Sequence, residues 1–147
     1  MIPSYPKILQ LGDRHLEGLF DGPIEITEKY DGSQFSFGVI DGSFYAKTKN
    51  SVIAVNENYD IPKLFNNCVP LLDQIRRYVD LNKQINNIVF SGEFLNNPRH
   101  NILTYANTPL NHFACFAVGK KNELGSWEYE SPWTSREFYD LTKDVKI

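Results

Sequence analysis

Residues 34–49 read "QFSFGVIDGSFYAKTK". Apolar and polar side chains alternate on both sides of Asp41-Gly42. A period of two marks a strand, and Asp-Gly accepts the positive φ angles of a two-residue type I′ turn. The stretch therefore predicts an antiparallel hairpin, Gln34–Ile40 against Ser43–Lys49. Upstream, "IEITEKY" (Ile24–Tyr30) alternates in the same way. It predicts another strand, ending on Lys29 just before Asp31-Gly32.

The rest of the chain extends this pattern. Asp13 can cap a short helix over "RHLEGLF", which Gly22-Pro23 ends. Asp60 with Pro62 marks a helix start. Pro70 interrupts it, and a second helix over "PLLDQIRRYVDL" places Leu71, Leu72, Ile75 and Val79 on one face. Asn86-Asn87 forms a turn. "IVFSGEFL", "HFACFAV" and the shorter "SWEYE" read as strands, with "NPRHNILTYANTPLN" a long loop between the first two. "TSREFYDLTK" predicts a terminal helix, with Thr134 or Ser135 as cap and Glu137 completing a capping box. The class is α+β, a mostly antiparallel sheet with flanking helices, in one domain over residues 1–147.

Composition agrees. Aromatic residues make up 14% of the 147, which favours a sheet-rich core with many ring anchors. The net charge of -3 gives no global basic field, so a nucleic-acid partner would need a local basic groove. Cys68 and Cys115 lack zinc-type spacing and are too few for a disulfide scaffold. No apolar run approaches a membrane span, and the N-terminus does not read as a signal peptide. These features predict a cytoplasmic protein with reduced thiols and no membrane partner.

Four short stretches contain groups suited to chemistry. The first is Lys29-Tyr30-Asp31-Gly32. By chance about 3% of chains this long contain K-x-D-G, at roughly 6% for each fixed residue. On its own it reads as a strand running into a turn, with a solvated lysine. The second is "FSGEFL", where alternation puts Glu93 on the face opposite Phe90, Gly92 and Phe94. That face is either plain solvent or a cleft. The third is "HFACFAV", with Phe113 and Phe116 on opposite faces. One ring suits the core, and the other can stack on a base. The fourth is "AKTKN". Its Lys47 and Lys49 share a face, either as a solvated edge or as a grip for phosphate.

The order of these stretches resembles the first four nucleotidyltransferase motifs of the ATP-dependent polynucleotide ligases and mRNA capping enzymes, with RNA ligase the nearest branch. "EKYDGSQF" looks like the first motif, "AKTKN" the next, "FSGEFL" the third and "HFACFAV" the aromatic one. The likeness runs from about Ile24 to Val118. It implies that Lys29 attacks the α-phosphate of ATP and carries AMP as a phosphoramidate. Glu28 would lie where the backbone meets the adenine edge, and Asp31 and Gly32 would shape the turn at the nucleotide. Lys47 would contact ribose or phosphate, with Lys49 as fallback. Glu93 would hold the ribose hydroxyls, and Phe116 would stack on adenine. ATP and Mg2+ are the implied cofactors, RNA ends at nicks or breaks the implied partners, and no residue is assigned to the metal.

These residue types suit that chemistry. A free lysine, of pKa about 10.4, is neutral in only about one molecule in a thousand near pH 7.4. A nucleophilic lysine therefore needs desolvation, neighbouring positive charge or a metal. The chain also departs from the pattern. Lys47 stands for an arginine and so lacks the planar fork. Ala117 stands where an aspartate is common. The Glu-Gly-aromatic-Val and Lys-x-Lys segments that complete the pocket are not found. The resemblance therefore covers the front portion of an adenylyltransferase domain, without its last two motifs. Weak self-adenylylation is expected from these residues alone. Two alternatives stay open: a non-catalytic nucleotide- or RNA-binding fragment, and a DNA ligase or GTP-using capping relative.

Overall fold

A computed structural model describes residues 1–81, 85–95 and 102–131, together with Arg136 and Asp140. The protein is α+β. Seven strands form one sheet in the order β4-β3-β2-β1-β5-β6-β7, and every neighbouring pair is antiparallel. The strands are β1 (Ser33–Ile40), β2 (Ser43–Thr48), β3 (Val52–Val55), β4 (Asn58–Tyr59), β5 (Ile88–Phe94), β6 (Phe113–Lys121) and β7 (Trp127–Glu130). One helix, α1 (Val69–Leu81), is described, preceded by a 3₁₀ segment over Lys63–Cys68. No helix among the described residues is long and apolar enough to cross a membrane.

The hairpin forms as its sequence requires. Ile40 pairs with Ser43, which leaves Asp41 and Gly42 as the two-residue turn, at φ 49° and 79°. The turn is also tied down from outside. The amides of Asp41 and Gly42 donate to the side-chain oxygens of Asn87 and Asn86, at 3.1 and 3.0 Å. The Asn86-Asn87 turn thus fixes the hairpin tip as well as leading into β5.

One face of the sheet carries the core. Phe35, Phe37, Phe90, Phe94 and Phe113 are each at most 1% exposed, and Leu71, Leu72 and Ile75 of α1 are fully buried against the same cluster. Phe37 stacks on Phe90 at 5.3 Å between centroids, and Phe35 stacks on Phe65 at 5.7 Å. Such offset ring pairs add to the gain from burial itself. Pro70 is tolerated because it lies in the first turn of α1, where backbone amides lack helical partners in any case. Val79 and the residues of the expected terminal helix other than Arg136 and Asp140 lie outside the side chains described. Those two are helical and form an i,i+4 ion pair at 2.9 Å.

Three expectations need correction. Ile24–Tyr30 belongs to no strand, with Ile24 42% and Ile26 86% exposed. Alternation makes a strand possible, but a strand also needs a partner, and the partners of β1 are β2 and β5. The helix expected from Asp60 and Pro62 begins only after Pro62, as the 3₁₀ segment, because the Asp60 amide donates to Ile53 O at 2.8 Å and extends the β3–β4 ladder. The first expected helix shortens to a 3₁₀ turn, Arg14–Leu16, with Asp13 accepting from the His15 amide at 3.0 Å. Strands β3 and β4 were not anticipated. Their turn holds Asn56 at φ 50°, and the Asn56 side-chain oxygen accepts from the Phe44 amide at 2.9 Å.

Gly92 sits where β6 bulges. A Cβ built there would lie 2.4 Å from both Ala114 O and the Phe113 ring. Gly92→Ala is expected to lower the unfolding free energy by about 1–3 kcal/mol, the usual cost of overpacking a core. Urea denaturation checks this, with Phe37→Ala, expected to cost about 3–5 kcal/mol, as the cavity-forming comparison.

Candidate functional site

The opposite face of the sheet is concave and mostly polar. Cross-strand pairing places Gln34 beside Glu93, Ser36 beside Ser91 and Ser36 beside Lys47. All therefore face away from the phenylalanine core. Ser36 and Ser91 are buried and satisfy each other, Oγ to Oγ, at 3.1 Å. Where β6 bulges, the register steps from Ala117 opposite Ser91 to Cys115 opposite Gly92, leaving Phe116 as the extra residue. Phe116 turns toward the concave face, while Phe113 stays in the core. A bulge re-aims a side chain in this way.

The N-terminal segment crosses this face. Ile2 is 3% exposed, buried with Ile40 and Val89 against Tyr45 and Trp127. Lys47 Nζ donates to Ser4 Oγ at 2.7 Å. The Tyr5 ring meets Phe116 at 4.9 Å and Tyr129 at 5.2 Å, edge to face in both cases. Tyr5 and Phe116 border cavities on both sides. One, of about 500 Å³, is lined by Lys7, Lys29, Lys47 and Lys49 with Gln34 and Ser36 at its floor. The other, of about 420 Å³, is lined by Glu25, Glu28, Tyr30, Tyr129 and Glu130. The two differ in sign, the first cationic and the second acidic and aromatic.

The expected site residues distribute across this arrangement. Lys29, Lys47 and Phe116 line the basic cavity, and Glu28 lines the acidic one. Glu93 lines neither cavity; it pairs with Gln34, which lines the basic one. Burial pushes the Glu93 carboxyl up to about 7, against the pull of Lys29 and Lys49, with Asp31 adding to the rise. Gly32 lets the chain pass close to β5. A Cβ on it would lie 2.7 Å from Phe94 O and 3.3 Å from Glu93 Oε2. Asp31 turns elsewhere. Its Oδ2 accepts from the amides of Ile102 and Leu103 at 2.5 and 2.9 Å, and its own amide donates to Tyr105 Oη at 2.7 Å. Asp31 thus anchors the long loop to the Lys-x-Asp-Gly turn.

Sequence reading missed Ser4, Tyr5 and Lys7. The signal was present in "PSYPK", where two prolines stiffen the backbone on either side of a tyrosine. Burial raises both cysteine thiols to about 12, so neither is a nucleophile at neutral pH. Among the described residues no group of three or more His, Cys, Asp or Glu could hold a metal ion. No family model matches the chain, and no curated protein matches it significantly.

Two outcomes test this geometry. The folded pKa of Glu93, about 7, lies above its reference value of 4.5. The folded state therefore binds this proton more tightly, and the stability this confers is complete below pH 4.5 and lost as pH rises through 7. Glu93→Gln is expected to flatten that decline, by on the order of 1 kcal/mol between pH 4.5 and 8 once solvent screening is allowed for. Denaturation at the two pH values measures it. Separately, Asp31→Ala is expected to speed amide exchange at Ile102 and Leu103 roughly tenfold or more, with the core amides unchanged. Hydrogen exchange by NMR reads this directly.

Proposed function

We propose that the chain is the nucleotide-binding front of an ATP-dependent RNA ligase, with Lys29 as the covalent nucleophile. The observation that carries this reading is the meeting of Lys29, Lys47, Lys49 and Phe116 around one cavity, from three separate parts of the sequence. A nucleophile, cations for phosphate and a flat ring for a base are the parts that nucleotidyl transfer needs.

In this reading the neutral Lys29 amine attacks the α-phosphorus of ATP. The bond from that phosphorus to the bridging oxygen breaks, and pyrophosphate leaves with the electron pair. The amine loses a proton and becomes a phosphoramidate. An oxygen of an RNA 5′-phosphate then attacks the same phosphorus, and the P–N bond breaks to return the lysine. A 3′-hydroxyl finally displaces AMP from the activated end. Lys47 and Lys49 act by position and charge, since such transfers depend mainly on alignment and electrostatics. Glu93, half-buried and within the electrostatic reach of Lys29, would hold the ribose hydroxyls. Magnesium would arrive with the phosphates, because the described side chains form no cage for it. Asp31 has a positioning role through the loop that it anchors.

The test is incubation with α-labelled ATP or GTP and magnesium, followed by denaturing electrophoresis. Label from ATP is expected on the wild-type chain, at low yield, and none on Lys29→Ala. Lys47→Ala and Glu93→Ala are expected to lose roughly tenfold or more while retaining some label. Label from GTP alone would point to a capping relative. Saturable nucleotide binding with no label on any form would leave only a binding fragment. Label persisting on Lys29→Ala would overturn the assignment.

A further inference from the structure

We infer that the basic cavity is a phosphate site completed by the N-terminal segment, with Lys7 as a fourth cation beside Lys29, Lys47 and Lys49. The ligand class is a phosphate anion, either the phosphate chain of a nucleotide or the 5′-phosphate of an RNA end. The inference rests on the reading above only for those two sources of phosphate.

Charge comes first. The chain carries a net charge of -3, yet this cavity is lined by four lysines and by no carboxylate. Like charges gathered around one concavity repel one another and concentrate a positive field in it. None of the four is in a salt bridge with a described carboxylate. An anion with several charges relieves that repulsion, and phosphate chains carry such charge in a small volume. The size, about 500 Å³, lies in the range of small-ligand sites.

Position comes second. Lys7 does not sit on a loose terminus. Ile2 is buried against Ile40 and Val89, Ser4 accepts from Lys47, and Tyr5 is wedged between Phe116 and Tyr129. Pro3 and Pro6 restrict the backbone between and after these anchors. Lys7 therefore follows two residues after a fixed ring, at the mouth of the cavity that Tyr5 also lines. The Lys47–Ser4 bond links the segment to β2, so the cations of segment and sheet belong to one assembly. Glu93, the carboxyl that senses Lys29 and Lys49, is not among the residues that line the cavity.

The test measures binding by the full chain, by calorimetry, with three probes. These are inorganic tripolyphosphate, a 5′-phosphorylated oligoribonucleotide, and the same oligonucleotide with a 5′-hydroxyl. Lys7 is exposed, so Lys7→Ala should keep the fold, which circular dichroism verifies. Lys63→Ala, at the exposed start of the 3₁₀ segment, serves as the control and should bind like wild type. Lys7→Ala is expected to weaken binding of at least one phosphate probe roughly fivefold or more. The slope of log affinity against log salt should also fall by about one phosphate contact. Loss for tripolyphosphate assigns the nucleotide chain as the source, and loss for the 5′-phosphate oligonucleotide alone assigns the RNA end. Unchanged affinity and salt slope for both phosphate probes would overturn the inference, as would equal losses in Lys63→Ala. These readouts are independent of covalent labelling. A labelled wild type with Lys7→Ala binding normally defeats this inference and leaves the ligase reading intact. Lost phosphate binding in Lys7→Ala with no labelling of any form does the reverse.

Discussion

The antiparallel pairing of β1 with β5 is the constraint on which the rest of the structure depends. It sets Phe35, Phe37 and Phe90 on one face and Gln34, Ser36, Ser91 and Glu93 on the other. A slip of one residue would exchange the two sets, burying Glu93 among phenylalanines and exposing the rings. The ring cluster and α1 therefore hold the register from below. The same register presents a polar floor above. Gly38 allows these two strands their closeness, as Gly92 does for β5 and β6. A Cβ at Gly38 would approach Ile88 O to 2.2 Å.

On that floor the site is assembled from parts with little strength of their own. Phe116 reaches it through a bulge, Lys29 through a segment outside the sheet, and Lys47 through the second strand of the hairpin. The N-terminal segment crosses between two cavities and holds their shared wall, the Tyr5–Phe116 contact. The separation of charge across that wall has a chemical consequence. A nucleotide has a flat, weakly polar base and a polyanionic tail, and a wall with an acidic, aromatic side and a cationic side can address both ends at once. The meeting of these groups supports the nucleotidyl-transfer reading more than any one motif does.

Much was legible in the sequence because it depends on local rules. The Asp41-Gly42 turn and the strand phase of Glu93 follow from turn chemistry and a period of two. The face of α1 with Leu71, Leu72 and Ile75 follows from the helical period. The sequence by itself determined these features, since each needs only neighbours a few residues away. Tertiary structure decided the rest. Ile24–Tyr30 has the pattern of a strand and joins no sheet, because pattern does not supply a partner strand. Asp31 sits in a motif that suggests a nucleotide and instead anchors Ile102 and Leu103, because its carboxylate meets two backbone amides from a distant loop. Tyr5 and Lys7 gained their place only when Ile2 found a pocket between Ile40 and Val89. Contacts between residues far apart in the chain depend on which surfaces the folded sheet brings together, and no local periodicity carries that information.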